Sequence, residues 1–371
     1  MKKPPIIWTN LILFTSTALV AGIGIPWYAM THGFDFSHLI LTIIALSFCE
    51  LSITAGYHRL WSHKSYETHP VVEFIYAIGG AFALQNSILH WASDHRTHHR
   101  FVDDHHKDPY SAKRGLWFSH IGWMLREYQT NPSQAYANAR DLQKNKVVMW
   151  QHRHYLSLTM ITNIGIPLGI GILHGDILGI LLTVGVLRLV LSHHFTFLIN
   201  SLAHYWGSQP YTDKNSSRDN GFLALLTFGE GYHNFHHIFE FDYRNGVRWW
   251  QFDPTKWLIA SLCFFGAAKN LRRTTEAQIE KAKLAMRLKR IEQGIALRPN
   301  PQEMLAKMRE EYNNLLEHFH AYYEAKTAYK IAQKKKDAKQ RLELLMANYH
   351  MMRKNWVSQK KAWFEMTAAY V

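Results

Sequence analysis

The sequence predicts an all-α membrane protein: four transmembrane helices in two hairpins, with a cytosolic helical cap carrying a histidine-rich two-metal site. Three observations lead there. Long apolar stretches fall within the first 200 of 371 residues, while charge gathers at the end. The connections that would turn the two hairpins, Thr31–Ser37 and His174-Gly175-Asp176, contain no Lys or Arg. Histidines cluster in three boxes: His58-Arg-Leu-Trp-Ser-His63, His95-Arg-Thr-His98-His99 and His233-Asn-Phe-His236-His237. The net charge is +14, and two cysteines in 371 residues are too few for a disulfide framework or a cysteine-based metal site. Cys49 and Cys263 read as apolar filler.

The first span, residues 6–30, follows Lys2 and Lys3 and is long enough at 1.5 Å per residue to cross a core of roughly 30 Å. It is too long for a signal-peptide core and has no clear small-residue cleavage site, so an uncleaved span is expected. Residues 38–57 form the second span, and the uncharged connection between them puts the N-terminus inside. Val71–Leu89 is apolar enough to be a span, but crossing there would hold the first two boxes roughly 30 Å apart, whereas metal–nitrogen bonds are about 2.0–2.1 Å. With Glu73, Gln85 and Asn86 inside it, this segment reads as an interfacial or buried helix. Residues 155–173 and 177–199 form the second hairpin, which leaves both termini cytosolic. Trp257–Ala268, about 12 residues, is too short to cross and should lie at the interface.

Two regions result. Residues 1–270 form the transmembrane and cap domain, and 271–371 a basic helical extension with 21 Lys and Arg against 11 Asp and Glu. The extension, broken near Arg298-Pro299-Asn300-Pro301, fits a solvated helical hairpin or a docking arm for anionic lipid or an acidic electron carrier. Nucleic-acid binding is not expected.

At the chain's frequency of 24 histidines in 371, an HxxHH string should arise by chance about 0.1 times. It occurs twice. Positions i, i+3 and i+4 share a helix face, so each string offers several imidazoles to one small volume, the ligand type that suits iron, copper, zinc or nickel. Eight box histidines are too many for one ion, and two metals are expected. His58 and His63, five apart, lie about 140° apart on an ideal helix, so the helix is expected to end between them. Asn200 and His204, four apart, share a face at the exit of the fourth span, adding a ninth histidine and a partner for a metal-bound water.

Together, His58–His63, His95–His99, Asn200-Ser-Leu-Ala-His204 and Gly229-Glu-Gly-Tyr-His-Asn-Phe-His-His237 resemble the stearoyl-CoA desaturase family of membrane di-iron enzymes, here a bacterial-type member, over residues 8–260. The resemblance implies that His58, His63, His95, His98, His99, His204, His233, His236 and His237 hold two iron ions, with Asn200 acting through water. It assigns no catalytic residue beyond these ligands. It implies that reduced iron and O2 remove two hydrogens from adjacent methylenes, usually carbons 9 and 10 of a saturated long-chain acyl-CoA, leaving a cis double bond. An unactivated methylene has no acidic proton, so an oxidising centre rather than a base must start such a reaction. Gln85, Trp91 and Thr196 match the family's tunnel kink, and Asn10, Asn86 and Asp94 its CoA contacts. Ser93 stands where animal enzymes carry an arginine, and Glu127 falls near another basic contact, so another thioester or a lipid-linked chain stays open. Electrons would come from a separate donor, ferredoxin-like or cytochrome b5-like with a reductase. The setting is the lipid membrane, as a multi-pass protein of a bacterial inner membrane. A di-iron hydroxylase or monooxygenase remains an alternative that box spacing alone does not exclude.

Glu50 and Arg188 lie inside the second and fourth spans, where charge is expensive. Their depths, about 12 Å from His58 and about 18 Å from Asn200, agree to roughly one turn, so they are expected to pair and cap the tunnel. His90, His105, His106 and His120 are candidates to support the second box.

Overall fold

The structure, a computed structural model, describes residues 4–128 and 136–370. Lys2 and Lys3 lie outside the described residues. Four helices are long and apolar enough to cross a membrane: α1 (Trp8–Thr31), α2 (Phe36–Ser62), α6 (Tyr155–His174) and α7 (Ile177–His204). Between them run α3 (Pro70–Ala83), α4 (Ile88–Phe101) and the short α5 (Lys146–Arg153). After α7 come α8 (Gly221–Leu226), α9 (His233–Ile238) and α10 (Pro254–Phe264). The chain is a membrane protein: Ile12, Ile23, Met30, Ile43, Ile44, Met160 and Leu173 on the four long helices are exposed, a surface only lipid tails would cover.

Sequence-local chemistry sets the hairpin ends. Asp35 caps α2, accepting from the Ser37 and His38 amides at 2.9 and 3.3 Å. Gly175, at φ 89°, makes the left-handed turn after α6, and Asp176 caps α7 through the Gly179 amide at 2.8 Å.

The segment expected at the interface or in the core becomes two helices meeting at 82°. α3 ends where Leu84 turns left-handed at φ 53°, and Ser87 caps α4 by accepting from the His90 amide. α3 packs closely on α2: a Cβ at Gly79 would meet Ser52 Oγ at 2.0 Å, and one at Gly80 would meet Tyr57 Cε1 at 2.1 Å. The C-terminal carbonyls of α3, which have no partners within the helix, are satisfied from α7. Arg188 Nη1 donates to Phe82 O at 2.6 Å, and His193 Nε2 lies 3.2 Å from Ala83 O.

This arrangement corrects the expected Glu50–Arg188 pair. The Arg188 guanidinium is taken up by Phe82 O, Asn163 Oδ1 at 2.9 Å and Val184 O at 3.0 Å. A helix C-terminus presents several carbonyls and the negative end of the helix dipole, a better match for a five-donor fork than one carboxylate. Both Glu50 carboxyl oxygens are buried without a hydrogen-bond partner.

The end of α2 meets the expected break and adds to it. The helix ends at Ser62, between His58 and His63, with His63 as its C-cap, and its last eleven residues, Ser52–Ser62, wind as a π-helix. Bonds from His63 N to His58 O at 3.1 Å and from Ser62 Oγ to Tyr57 O at 2.7 Å join residues five apart. Wider winding turns a five-residue spacing into one face.

A two-stranded clasp, β1 (Glu67–Thr68) with β2 (Ala268–Lys269), ties the chain just after the first box to the chain after α10. Contacts divide the chain into Met1–Thr274 and Thr275–Val371. The second unit holds α11 (Glu276–Ala296), α12 (Pro301–Lys335) and α13 (Lys339–Met366) around its own core of Leu284, Ile291, Leu315, Phe319, Trp356 and Trp363. Thr275 and Gln278 form a capping box at its start.

Candidate metal centre

Three sources converge at the cap: the end of α2 with His58 and His63, α4 with His95, His98 and His99, and the stretch from the end of α7 to α9 with His204, His233, His236 and His237. They form two adjoining groups. His58, His63, His95, His99 and His236 each place a ring nitrogen within 4.8 Å of the others, and His98, His204, His233 and His237 do the same. All nine sequence candidates fall in one group or the other. His99 and His237 stack at 4.4 Å between ring centres, joining the two.

The atoms that meet are the Nε2 atoms. His58 and His99 each lie 3.0 Å from His236 Nε2, and His63 lies 2.8 Å from His95. In the second group His204 and His237 approach His233 Nε2 at 3.1 and 3.0 Å, and His98 reaches His237 at 3.3 Å.

The other ring nitrogens fix the tautomers. His98 Nδ1 donates to buried Asp108 Oδ1 at 2.8 Å. His204 Nδ1 lies 2.8 Å from Ser216 Oγ, which itself donates to Asp103 Oδ1 at 2.5 Å, so His204 is the donor. His99 Nδ1 is 3.0 Å from Glu240 Oε2 and His95 Nδ1 is 3.3 Å from Tyr110 OH. His58 Nδ1 sits 2.9 Å from Glu230 Oε2, although it does not point squarely along that line. With their protons turned outward toward acceptors, His98, His204, His99 and His58 aim bare lone pairs inward.

Burial, then repulsion among neighbouring imidazoles, holds His63, His95, His233, His236 and His237 well below the usual imidazole range, and burial pushes His99 down to about 4 despite Glu240. Neutral, converging nitrogen lone pairs repel in an apo protein and bind a Lewis acid. The donor set therefore fits two nitrogen-loving metal ions. Asn200 ends the regular part of α7 one turn before His204 and is half-buried.

The sequence reading missed the carboxylates behind the histidines. Arg59, 1% exposed, joins Glu230 at 2.9 Å and Asp253 at 3.0 Å and donates to Tyr243 O at 2.7 Å. Glu230 also accepts from Asn245 Nδ2 at 2.6 Å. Burial alone would raise the Glu230 carboxyl, but His58 and Arg59 hold it down to about 2. The signal was visible: Glu230 lies inside the Gly229–His237 string and Asp108 nine residues after His99. The histidines proposed for this supporting role do something else. His90 contacts Asp94 at 3.3 Å, His120 pairs with Ser201 and His194, and His105 and His106 are exposed.

Other candidates separate. Gln85 Nε2 donates to Thr196 Oγ1 at 2.8 Å while its Oε1 is buried and unpartnered. Trp91 stacks on His95 at 4.9 Å, beside the first group. Asn86, at φ 74°, is held through its backbone by Tyr155 and Tyr57. Asn10 is engaged with Met124 O at 2.8 Å, and Asp94 with His90.

A family model described as fatty acid desaturase matches residues 35–268. The chain is 43% identical over 276 residues to a probable acyl-CoA desaturase of Schizosaccharomyces pombe, covering 74% of this chain and 56% of that protein. It is 41% identical over 289 residues to acyl-CoA desaturase 1 of Saccharomyces cerevisiae, covering 76% and 55%. A delta(9)-fatty-acid desaturase of Caenorhabditis elegans is 34% identical over 268 residues, covering 71% and 78%. The chain thus spans little more than half the length of the two yeast relatives.

Proposed function

Because the chain belongs to the fatty acid desaturase family, we propose that it is an O2-dependent desaturase that inserts a cis double bond between carbons 9 and 10 of a saturated long-chain acyl-CoA. One observation carries the proposal. Nine imidazoles, with five of their outer nitrogens set against carboxylate, hydroxyl or phenol oxygens, bring their Nε2 atoms together in two adjoining groups. The five-histidine group would hold one iron ion, and the four-histidine group with Asn200, through water, the other. When bound, the pair of ions supplies the oxidising power, with O2 and two electrons, that removing hydrogen from an unactivated methylene requires.

The chain's own residues do the rest. Asp108, Ser216 with Asp103, Glu240 and Glu230 hold the rings in the ligating tautomer. Trp91, flat against His95, and the Gln85–Thr196 bond at the α3–α4 bend form a wall against which an acyl chain would turn. An alkyl chain has no polar handle near carbon 9, so the bond position must come from depth. Each methylene seated in an apolar wall contributes about 0.8 kcal/mol, which penalises slipped registers.

The overall change balances as two hydrogens lost from the chain, O2 reduced to two waters, and two electrons with two protons taken up. A separate donor, ferredoxin-like or cytochrome b5-like with a reductase, would deliver the electrons. Four crossings would put both termini and the cap in the cytosol. The relatives named above are eukaryotic, so a bacterial inner membrane in particular gains no support from them.

The test is purified iron-loaded protein given stearoyl-CoA, O2 and a reduced donor. A cis-9 product supports the proposal, a hydroxystearoyl product replaces it with a monooxygenase, and turnover only of a lipid-linked chain reassigns the carrier.

A further inference from the structure

A second group of metal-ligating side chains lies at the far end of α2 from His58. His38 and His58 are 20 residues apart on α2, a separation of roughly 30 Å at 1.5 Å per residue. Asp35, Ser37 and His38 open α2, and His174 and Asp176 form the turn between α6 and α7. His38 is 4% exposed, with Nδ1 3.0 Å from Asp35 Oδ1 and Nε2 3.0 Å from Asp176 Oδ2. His174 Nε2 is 3.8 Å from Asp35 Oδ2 and contacts Ser37 Oγ. One ligand atom each from Asp35, His38 and His174 lies within 4.8 Å of the others.

Three features point to a cation. The His38 and His174 rings meet edge-on at 4.7 Å, close to the 4.8 Å of His58 and His63 in the nine-histidine centre. Residues 32–38 and 174–176 bring two aspartates and no Lys or Arg, so with neutral imidazoles the group carries a charge of about −2, which a divalent ion balances. If His38 ligates through Nδ1, its Nε2–H is already directed at Asp176, itself fixed by a 2.6 Å bond from Tyr28 OH. That is the carboxylate–histidine–metal relay of built sites, and two histidines with one carboxylate is a zinc ligand set.

We propose that Asp35, His38 and His174 bind one divalent transition-metal ion of the zinc class, which ties the α1–α2 connection to the α6–α7 turn. In this arrangement His38 keeps its single proton on Nε2, toward Asp176, and offers the Nδ1 lone pair to the ion. The site is independent of the desaturase assignment and shares no residue with the nine-histidine centre.

The probe is zinc itself. Iron-loaded full-length protein is equilibrated with zinc and desalted, zinc and iron are counted by elemental analysis, and thermal unfolding is followed with and without zinc. Wild type should retain one zinc beyond its iron and unfold at higher temperature with it. His174→Gln and Asp35→Asn, at positions whose side chains are 18% and 64% exposed, should bind zinc at least tenfold more weakly with unchanged iron. Absence of extra zinc in wild type, or equal retention by both variants through some other histidines, overturns the proposal.

Discussion

Replacing Glu230 with glutamine tests whether the carboxylates behind the histidines hold the metal centre together. Glu230 is 1% exposed and places its two oxygens against Arg59, Asn245 and His58 at 2.9, 2.6 and 2.9 Å. Glutamine keeps the volume but has one acceptor oxygen, so its amide must turn NH2 toward Asn245 Nδ2, Arg59 or His58 Nδ1, each a donor. At least one charge-assisted bond is lost, about 1.5–3 kcal/mol, and Arg59 keeps Asp253 as its carboxylate partner. His58 loses the partner that selects its ligating tautomer, a change that lowers metal affinity by about 10–100-fold. Glu230→Gln should therefore lose iron to a competing chelator at about 10–100-fold lower concentration and unfold at lower temperature. Glu240→Gln, whose side chain is 54% exposed behind His99, is the internal comparison and should shift less. A Glu230→Gln protein that holds iron and unfolds as wild type does would refute the reasoning.

Three other outcomes follow from the packing. Gly80→Ala forces a Cβ to within 2.1 Å of buried Tyr57 and should destabilise by about 1–3 kcal/mol in denaturant unfolding; an unchanged midpoint would contradict the tight α2–α3 contact. Arg188→Met strips donors from Phe82 O and Asn163 Oδ1, and at about 1–3 kcal/mol per unsatisfied buried group it should lower the melting temperature and loosen the α3–α4 bend, read as faster amide exchange at residues 84–87. Wild-type exchange there would contradict it. Chelating the metal should lower the melting temperature, by about 2.7 kcal/mol of stability if free metal had stood at 100 times its dissociation constant, and a metal-independent melting temperature would argue against nine converging lone pairs.

Eight of the nine histidines were legible because ligand spacing is local: i, i+3, i+4 strings and a five-residue pair survive without knowledge of the fold, while His204 rested on its spacing to Asn200 and on the family resemblance. The four spans were legible because lipid imposes length and composition on each segment by itself. The rest depended on distant partners. The break between His58 and His63 was legible from their spacing, but the π-winding of Ser52–Ser62 that leads up to it has no sequence signature. Arg188 and Glu50 matched in depth, yet depth ignores azimuth and competing acceptors, and the open carbonyls at the end of α3 took the guanidinium. Those carbonyls exist because Leu84 turns left-handed, a conformation leucine rarely advertises. In the extension, the charged faces were plain, but the core of Leu315, Phe319, Trp356 and Trp363 forms between helices far apart in sequence.

The most direct measurement is the fatty-acid profile of cells expressing the chain, taken as methyl esters with double-bond positions determined, beside cells expressing His236→Ala. His236 touches both His58 and His99 across the first group, so its loss should disable the centre while leaving the spans intact. New cis-9 monounsaturated acids with wild type and none with the variant are the predicted result. Hydroxy acids in place of unsaturated ones, or the same new acids from both proteins, would contradict the account.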